Sequence, residues 1–414
     1  MAQQIFRKGL DLKDAVAGAL AADYHSDLVE RIRTSAGVLT SGRLTLHLAR
    51  EFGFCYGVDR AVDYAYQARR RFGDRHVFLT GEIIHNPHVN AKLRGAGIRF
   101  LSDPDEADTR LGPDDVVIIP AFGVTVRDLE RYQSLGCTLV DTTCGSVLNV
   151  WKNVTRYARD GFTAIIHGKV HHEETQATAS QALRHPAGRY LVVLDHAQAE
   201  RVCDHITSGG DPAAFLTEFE DAVSPGFDSE RDLVRVGLAN QTTMLMSESL
   251  AIADLFKVAM TRRYGEANLA EHYRAFDTIC SATQERQDAV LDLLRTTPLD
   301  LMIVIGGYNS SNTCNLARIC AESVPTYHIA DQHGLTSASE IRHRPIAPAG
   351  RRTAEVSTRT WLPGTGRVRI GLTAGASTPN NITGAAITRI ASLAGEPITN
   401  LAGAAAGARL DAPR

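Results

Sequence analysis

Apolar positions along the chain change their spacing in the same way three times. In "RLTLHLAREFGFCYGVDRAVDYAYQARRRF" (43–72), "CTLVDTTCGSVLNVWKNVTRYARD" (137–160) and "RAFDTICSATQERQDAVLDLLRT" (274–296), a short apolar or β-branched run gives way to a turn with one cysteine. A helical pattern follows each turn. Val58, Val62, Ala65 and Tyr66 fall at i, i+4, i+7 and i+8, and Ala289, Val290, Leu293 and Leu294 form a comparable stripe. The spacing predicts strand, cysteine turn and amphipathic helix in each stretch, and the tags "DTTC" (141–144) and "DTIC" (277–280) are nearly the same tetrapeptide. Self-similarity at these separations points to repeats of domain size, not to a short solenoid period.

Each stretch is followed by two further strand-like runs that end in polar loops. The first set is "HVFLTGEIIHNPHVN", "FTAIIHGKVHHEETQATAS" and "DLMIVIGGYNSSNTCN"; the second is "DDVVIIPAFGVT", "LVRVGLANQTTM" and "VRIGLTAGASTPNN". Apolar strands alternating with helices predict parallel sheets covered on both faces, joined by right-handed crossovers. Ligands bind beyond the carboxyl ends of such strands, where all nine loops lie. The expected fold is therefore α/β, a trefoil of three pseudo-equivalent units with small parallel sheets, their polar loops turned to a shared centre. The expected boundaries are an N-terminal helical extension (1–42), a first unit (56–144), a second (145–279), a third (280–395 with 43–55) and a flexible tail (396–414). An acidic segment (203–233) and a Pro- and Arg-rich one (341–363) interrupt the repeat and read as surface insertions without a catalytic role.

Composition narrows the classes. The chain has 414 residues, 44% hydrophobic and 22% charged, with a net charge of -3. No apolar run approaches the roughly 20 residues of a membrane span, and no basic block or aromatic-basic stripe marks a nucleic-acid surface. Acidic residues Asp11, Asp14, Asp23, Asp27 and Glu30 flank the Ala-rich start, which suits neither a secretory nor a transit peptide. The expectation is a cytoplasmic protein, or a plastid stromal one in a photosynthetic eukaryote. Seven cysteines, an odd number in a long chain, argue against a disulfide framework and for metal or redox duty.

Three of them, Cys55, Cys144 and Cys280, occupy equivalent repeat positions just ahead of a helix, where the helix dipole favours a thiolate. Three convergent thiolates suit zinc or iron. Zinc sites usually pair ligands two to four residues apart, whereas an iron-sulfur cube requires only that the fold gather its cysteines. Three ligands on a cube leave one iron open for chemistry. Cys137, Cys203 and Cys320 match no repeat position and read as packing residues; Cys314 follows the "NSSN" loop, which leaves a place near the site open for it, although its helical context favours packing.

The remaining loops carry hydroxyls, amides and imidazoles: His85, Asn86, His171, His172, Glu173, Glu174, Gln241, Thr242, Thr243, Ser310, Ser311, Asn312, Ser377 and Thr378. That donor-rich set suits a phosphorylated ligand held by hydrogen bonds and helix N-termini. Three converging helix ends supply roughly +1.5 charges, a useful fraction of what a diphosphate needs, without an arginine cage.

The ordered motifs "GFCYGVDRAV", "EIIHNP", "VDTTC", "HGKVHHEETQATAS", "ANQTTM", "ICSATQERQDAV", "NSSNT" and "GASTP", between about residues 43 and 395, resemble the 4-hydroxy-3-methylbut-2-enyl diphosphate reductase family, also called LytB. The extension and "PAFGVT" look like its cyanobacterial and plastid branch. The resemblance implies a 4Fe-4S cluster held by Cys55, Cys144 and Cys280 with one open iron for the substrate's allylic hydroxyl. It implies diphosphate contacts at His85, His172, Ser310, Ser311, Asn312 and Ser377, a proton relay at Glu174 with Thr242 beside it, and ferredoxin or flavodoxin as one-electron donor. Two positions depart from the family pattern: Phe122 stands where many bacterial members have histidine, and Gly145 where proline is usual. Two other readings of the residues stay open, an iron-sulfur sensor or electron carrier and an iron-sulfur hydro-lyase.

Overall fold

The computed structural model describes residues 4–276, 278–347, 353–396 and 398. Asp277 of the "DTIC" tag, part of the Pro- and Arg-rich insertion (348–352) and nearly all of the tail lie outside the described residues.

Three separate sheets form the frame. The first runs, edge to edge, Ile5–Phe6, Thr138–Asp141, Val116–Ile119, Val77–Leu79 and Arg99–Phe100, every pair parallel. The second runs Tyr273–Ala275, Val236–Asn240, Thr163–His167 and Tyr190–Val193, again all parallel. The third runs Thr326–Ile329, Leu301–Ile305, Val368–Ala374, Leu44–Leu48 and Val38–Ser41, with only the last pair antiparallel. Central strands such as Val236–Asn240 and Leu301–Ile305 are buried along their whole length, as strands covered by helices on both faces must be. The second and third sheets have large cores of their own, around Tyr157 and Phe256 and around Ile303 and Ile387. The result is a trefoil of α/β units whose strand ends face one another.

The first residues are more than a helical extension. Helices Lys13–Tyr24 and Asp27–Thr34 form as the pattern implies, but Ile5–Phe6 adds an edge strand to the first sheet and Val38–Ser41 one to the third. Leu10, Val29 and Ile32 are buried, and the Leu10 and Leu12 amides both donate to Gln67 Oε1. A two-residue strand carries no readable period, so sequence alone could not find it.

Neither insertion is a bare surface loop. The acidic segment folds into short helices that bury Phe215, Phe219 and Phe227 against the second sheet. The other contributes the antiparallel hairpin Glu340–His343 with Val356–Arg359. No described helix is long and apolar enough to cross a membrane.

Candidate active site

Each of the three repeat cysteines is the N-cap of the helix that follows it: Cys55 for Tyr56–Arg71, Cys144 for Gly145–Arg159, Cys280 for Ser281–Thr296. Their backbones anchor on neighbouring loops. Cys55 N–H donates to Ala376 O at 3.2 Å, Cys144 N–H to Ala121 O at 3.0 Å, and Cys280 N–H to Thr242 O at 3.2 Å. Gly57 keeps two of the sulfurs close, since a Cβ there would lie 2.6 Å from Cys144 Sγ and 4.0 Å from Cys55 Sγ.

Two arginines tie the cysteine turns in series. Arg60, on the helix after Cys55, donates to the carbonyls of Thr142 and Thr143 at 3.2 and 2.6 Å, just ahead of Cys144. Arg286, on the helix after Cys280, donates to Gly53 O and Phe54 O, just ahead of Cys55. The Cys55 turn is thus tied to the Cys144 turn and to the helix after Cys280 by buried and half-buried hydrogen bonds, in addition to packing.

Cys55 and Cys280 differ from the dipole-based expectation. Burial pushes the Cys280 thiol up to about 11, with Cys55 and Glu174 adding to the rise, although Thr283 donates to its sulfur. Burial also raises Cys55, against the opposing pull of the Val58 amide and Arg286. Desolvation outweighs the half-charge of a helix end. Such thiols are poor free nucleophiles and become thiolates when a metal takes them. The donor set fits a soft, extended group. A tetrahedral zinc needs sulfurs about 3.8 Å apart, yet among the described residues the group whose ligand atoms all lie within 4.8 Å of one another is His85, His172 and Glu173, not the cysteines. Three sulfurs that do not all lie within that distance of one another suit a cluster better than a single ion.

Beside Cys280 lies Glu174, only 2% exposed. Its Oε1 accepts from the Thr242 N–H at 2.6 Å. Burial pushes its carboxyl up to about 7 against the stabilising Thr242 hydrogen bonds. The preceding His172 caps the helix Glu173–Ala182, its Nδ1 accepting from the Glu174 N–H at 3.1 Å. Burial, then His85 and Lys169, holds the His172 ring well below the usual histidine range, so it is neutral and its proton sits on Nε2. That Nε2–H donates to His85 Nε2 at 3.1 Å, which leaves the His85 proton on Nδ1, where it donates to Glu82 Oε2 at 2.8 Å. Phe122 stacks on His85 at 4.4 Å and seals its outer face.

The third unit closes the other side. Ser310 caps the helix Ser311–Ala321, and Ser377 Oγ donates to His85 O at 3.3 Å. Gly307 lets these loops meet the first unit, because a Cβ there would lie 2.3 Å from His85 O. Asn312, also 2% exposed, accepts from the Ala376 N–H through Oδ1, while its buried Nδ2 has no partner among the described residues. Buried donors are normally satisfied, so this amide is set for an acceptor that comes from outside. Ser310, Ser311, Ser377 and Thr242 are buried as well.

A cavity of about 770 Å³ opens from His85, His172 and Lys169. Of the residues expected at the site from sequence, His85 and His172 line this cavity, whereas Glu174, Thr242, Ser310, Ser311, Asn312 and Ser377 are buried and are not among its lining residues. Sequence reasoning missed Lys169, whose Nζ donates to Ser311 Oγ at 2.9 Å; Glu173, one of the loop residues it named, places its Oε2 3.5 Å from His85 Nε2. It also missed that both insertions reach the cavity wall, through Phe219 and Ala222 and through Arg344 and Ile346. Long-range contacts of this kind leave no local signal. Cys137, Cys203 and Cys320 are buried away from the site, as packing residues would be.

Comparison with known proteins shows the family and the fold. Residues 46–391 match the family described as LytB protein. A Gloeobacter violaceus protein named 4-hydroxy-3-methylbut-2-enyl diphosphate reductase is 50% identical over 398 residues, which cover 94% of this chain and 93% of that one. A Synechococcus protein of the same name is 46% identical, with 94% and 93% covered. Among solved structures, the E-1-hydroxy-2-methyl-but-2-enyl-4-diphosphate reductase from Plasmodium falciparum superposes with a TM-score of 0.58 at 22% identity over 82% of this chain and 85% of that one, a likeness of fold. With its three cysteine turns, its fold and its sequence all in accord, the chain belongs to the LytB family.

Proposed function

We propose that this chain reduces 4-hydroxy-3-methylbut-2-enyl diphosphate, the reaction for which its relatives are named, to isopentenyl and dimethylallyl diphosphates. In this reading Cys55, Cys144 and Cys280 ligate a 4Fe-4S cluster. When bound, it supplies one-electron transfer and a Lewis-acidic iron. The carbon-oxygen bond of the allylic alcohol breaks, the oxygen leaves as water, and a carbon-hydrogen bond forms. Two electrons and two protons balance the change. Since a cluster passes one electron at a time, the donor is a one-electron protein of the ferredoxin or flavodoxin class.

The chain's own residues bind, orient and protonate. His85, His172, Ser310, Ser311, Asn312 and Ser377 form the diphosphate cradle, and an anion between the imidazoles would replace the bond they make with each other. Glu174, protonated below about pH 7, is the proton donor, oriented by Thr242. Burial around these groups keeps bulk water from quenching the reacting centre.

The observation that carries the reading is the buried, unpartnered Nδ2 of Asn312, whose Oδ1 accepts from Ala376 N–H, the residue whose carbonyl takes the Cys55 N–H. It favours an oxygen-rich ligand next to an acid and a redox centre, which a bare electron carrier has no use for. The test is an anaerobic assay of the cluster-loaded protein with a chemically reduced dye. Dye oxidation that depends on the hydroxylated diphosphate is expected; no oxidation, or loss of water from substrate without any donor, would overturn the proposal.

A further inference from the structure

The hydrogen bonds around His85 fix which of its nitrogens carries a proton, and that decides how the ring can hold an anion. The Glu174 N–H donates to His172 Nδ1 at 3.1 Å, so this nitrogen is bare and the His172 proton sits on Nε2. His172 Nε2 lies 3.1 Å from His85 Nε2. Two N–H groups cannot point at each other at that range, so His85 Nε2 is bare as well. The His85 proton is therefore on Nδ1, where Glu82 Oε2 accepts it at 2.8 Å. In this arrangement His85 turns a lone pair towards His172 and presents no donor there.

An ionised diphosphate offers acceptors, which gain nothing from a bare nitrogen. When a phosphate oxygen takes the place of the bond between the imidazoles, His172 can give it the Nε2 proton unchanged. His85 cannot, and two routes lead to a proton on its Nε2. The ring could move its one proton from Nδ1 to Nε2, which would set a lone pair against the Glu82 carboxylate at 2.8 Å. Or the ring could gain a second proton and keep the first on Glu82, in a charge-assisted bond. The first route loses a hydrogen bond; the second strengthens it and puts a positive charge beside the phosphates.

The groups that face His85 favour the second route. Glu82, on the same loop, has a half-buried side chain, whereas that of His85 is only 9% exposed. Glu173 Oε2 stands 3.5 Å from His85 Nε2, and the Glu174 carboxyl lies within electrostatic reach of the ring. All three carboxyls favour a cationic imidazole when ionised. His172, held neutral by burial, then by His85 and Lys169, brings no opposing charge of its own. Phe122 covers one face of the ring, and the third unit meets the His85 carbonyl through the Ser377 hydroxyl.

We propose that Glu82 is a positioning residue that makes His85 bind the diphosphate as an imidazolium, with one proton drawn from solvent for each ligand bound. This rests on the proposed function for the diphosphate as ligand, and on the Glu82–His85–His172–Glu174 chain of hydrogen bonds for the proton. The proton adds to His85 Nε2 and returns to solvent on release, and no covalent bond of the ligand changes.

The experiment is calorimetry of the cluster-loaded wild type, Glu82→Gln and His85→Asn with methyl diphosphate at pH 8, repeated in buffers of different ionisation enthalpy so that the protons taken up are counted. A phosphate of this kind loses its last proton at about pH 6, so it brings none of its own. The wild type is expected to take up about one proton per ligand bound, and its affinity to fall about tenfold from pH 7.5 to 8.5. In Glu82→Gln the side-chain amide can donate to Nδ1, so a neutral ring presents Nε2–H and the uptake disappears. It disappears in His85→Asn as well. Wild-type binding without uptake, uptake that persists in either variant, or a wild type that does not bind methyl diphosphate would overturn the proposal. A wild type that shows the uptake yet never reduces the hydroxylated diphosphate would sink the proposed function and leave this inference standing; one that reduces it without the uptake would do the reverse.

Discussion

Glu174 Oε1 and the backbone N–H of Thr242 lie 2.6 Å apart, a bond that joins the helix Glu173–Ala182 to the loop after strand Val236–Asn240. Thr242 also receives the Cys280 N–H on its carbonyl, so one loop residue positions both the acid and a metal-ligand candidate. Two opposed effects meet at this carboxyl: burial favours the neutral acid and the amide bond favours the anion. Burial wins, and the group titrates near neutrality.

The pH dependence follows from that balance. A carboxyl raised to about 7 carries its proton below pH 7 and loses it above, so kcat should fall as pH rises through about 7. Glu174→Gln removes the titration and lowers kcat by roughly 10²- to 10⁴-fold while inorganic diphosphate still binds. Steady-state kinetics across pH 5.5–9 check this, and a wild-type rate that stays flat over that range would rule out Glu174 as the acid.

Replacing any one of Cys55, Cys144 or Cys280 by serine should abolish the brown absorbance of the reconstituted protein. Far-ultraviolet circular dichroism should stay unchanged, because the Cys55 and Cys144 side chains make no capping hydrogen bond and the Cys280 sulfur caps only one helix end. Cys137→Ala, by contrast, leaves the absorbance intact, since that cysteine packs in the core of the first sheet. Iron and sulfide analysis of the four variants decides whether the three turns share one cluster.

Arg286 is buried and gives four hydrogen bonds to three carbonyls, Gly53, Phe54 and Ala282. Arg286→Met strands the carbonyls that hold the Cys55 turn, at a cost of about 1 to 3 kcal/mol for each left unsatisfied. The expected outcome is a lower Tm and partial cluster loading, with Cys55 displaced although it is still present. Chemical denaturation and iron content measure the two effects separately.

At Gly307 a side chain would press into the carbonyl of His85. Gly307→Ala is expected to push the third unit's loop from the first, which moves Ser310 and Ser311 relative to the imidazoles. Inorganic diphosphate should bind at least tenfold more weakly, with the cysteine centre unaffected. Calorimetry on the cluster-loaded variant reads this directly, and wild-type affinity would mean the loops tolerate the displacement.

Much of this was fixed by the chain's own pattern. Apolar runs punctuated by cysteine turns and amphipathic helices specify βα units, because burial on both faces of a parallel strand demands continuous apolar residues and a helix demands the 3.6 period. Repetition of that unit places Cys55, Cys144 and Cys280 at helix starts from sequence alone. Tertiary structure decided what periodicity cannot encode. Ile5–Phe6 became a strand only by pairing with Thr138–Asp141, and the insertions reached the cavity only by folding back. The raised thiol of Cys280, the near-neutral acid of Glu174 and the charge of Lys169 on Ser311 depend on desolvation and on partners distant in the chain. Those terms are set by which groups share a low-dielectric enclosure, and only the packed trefoil brings them into one.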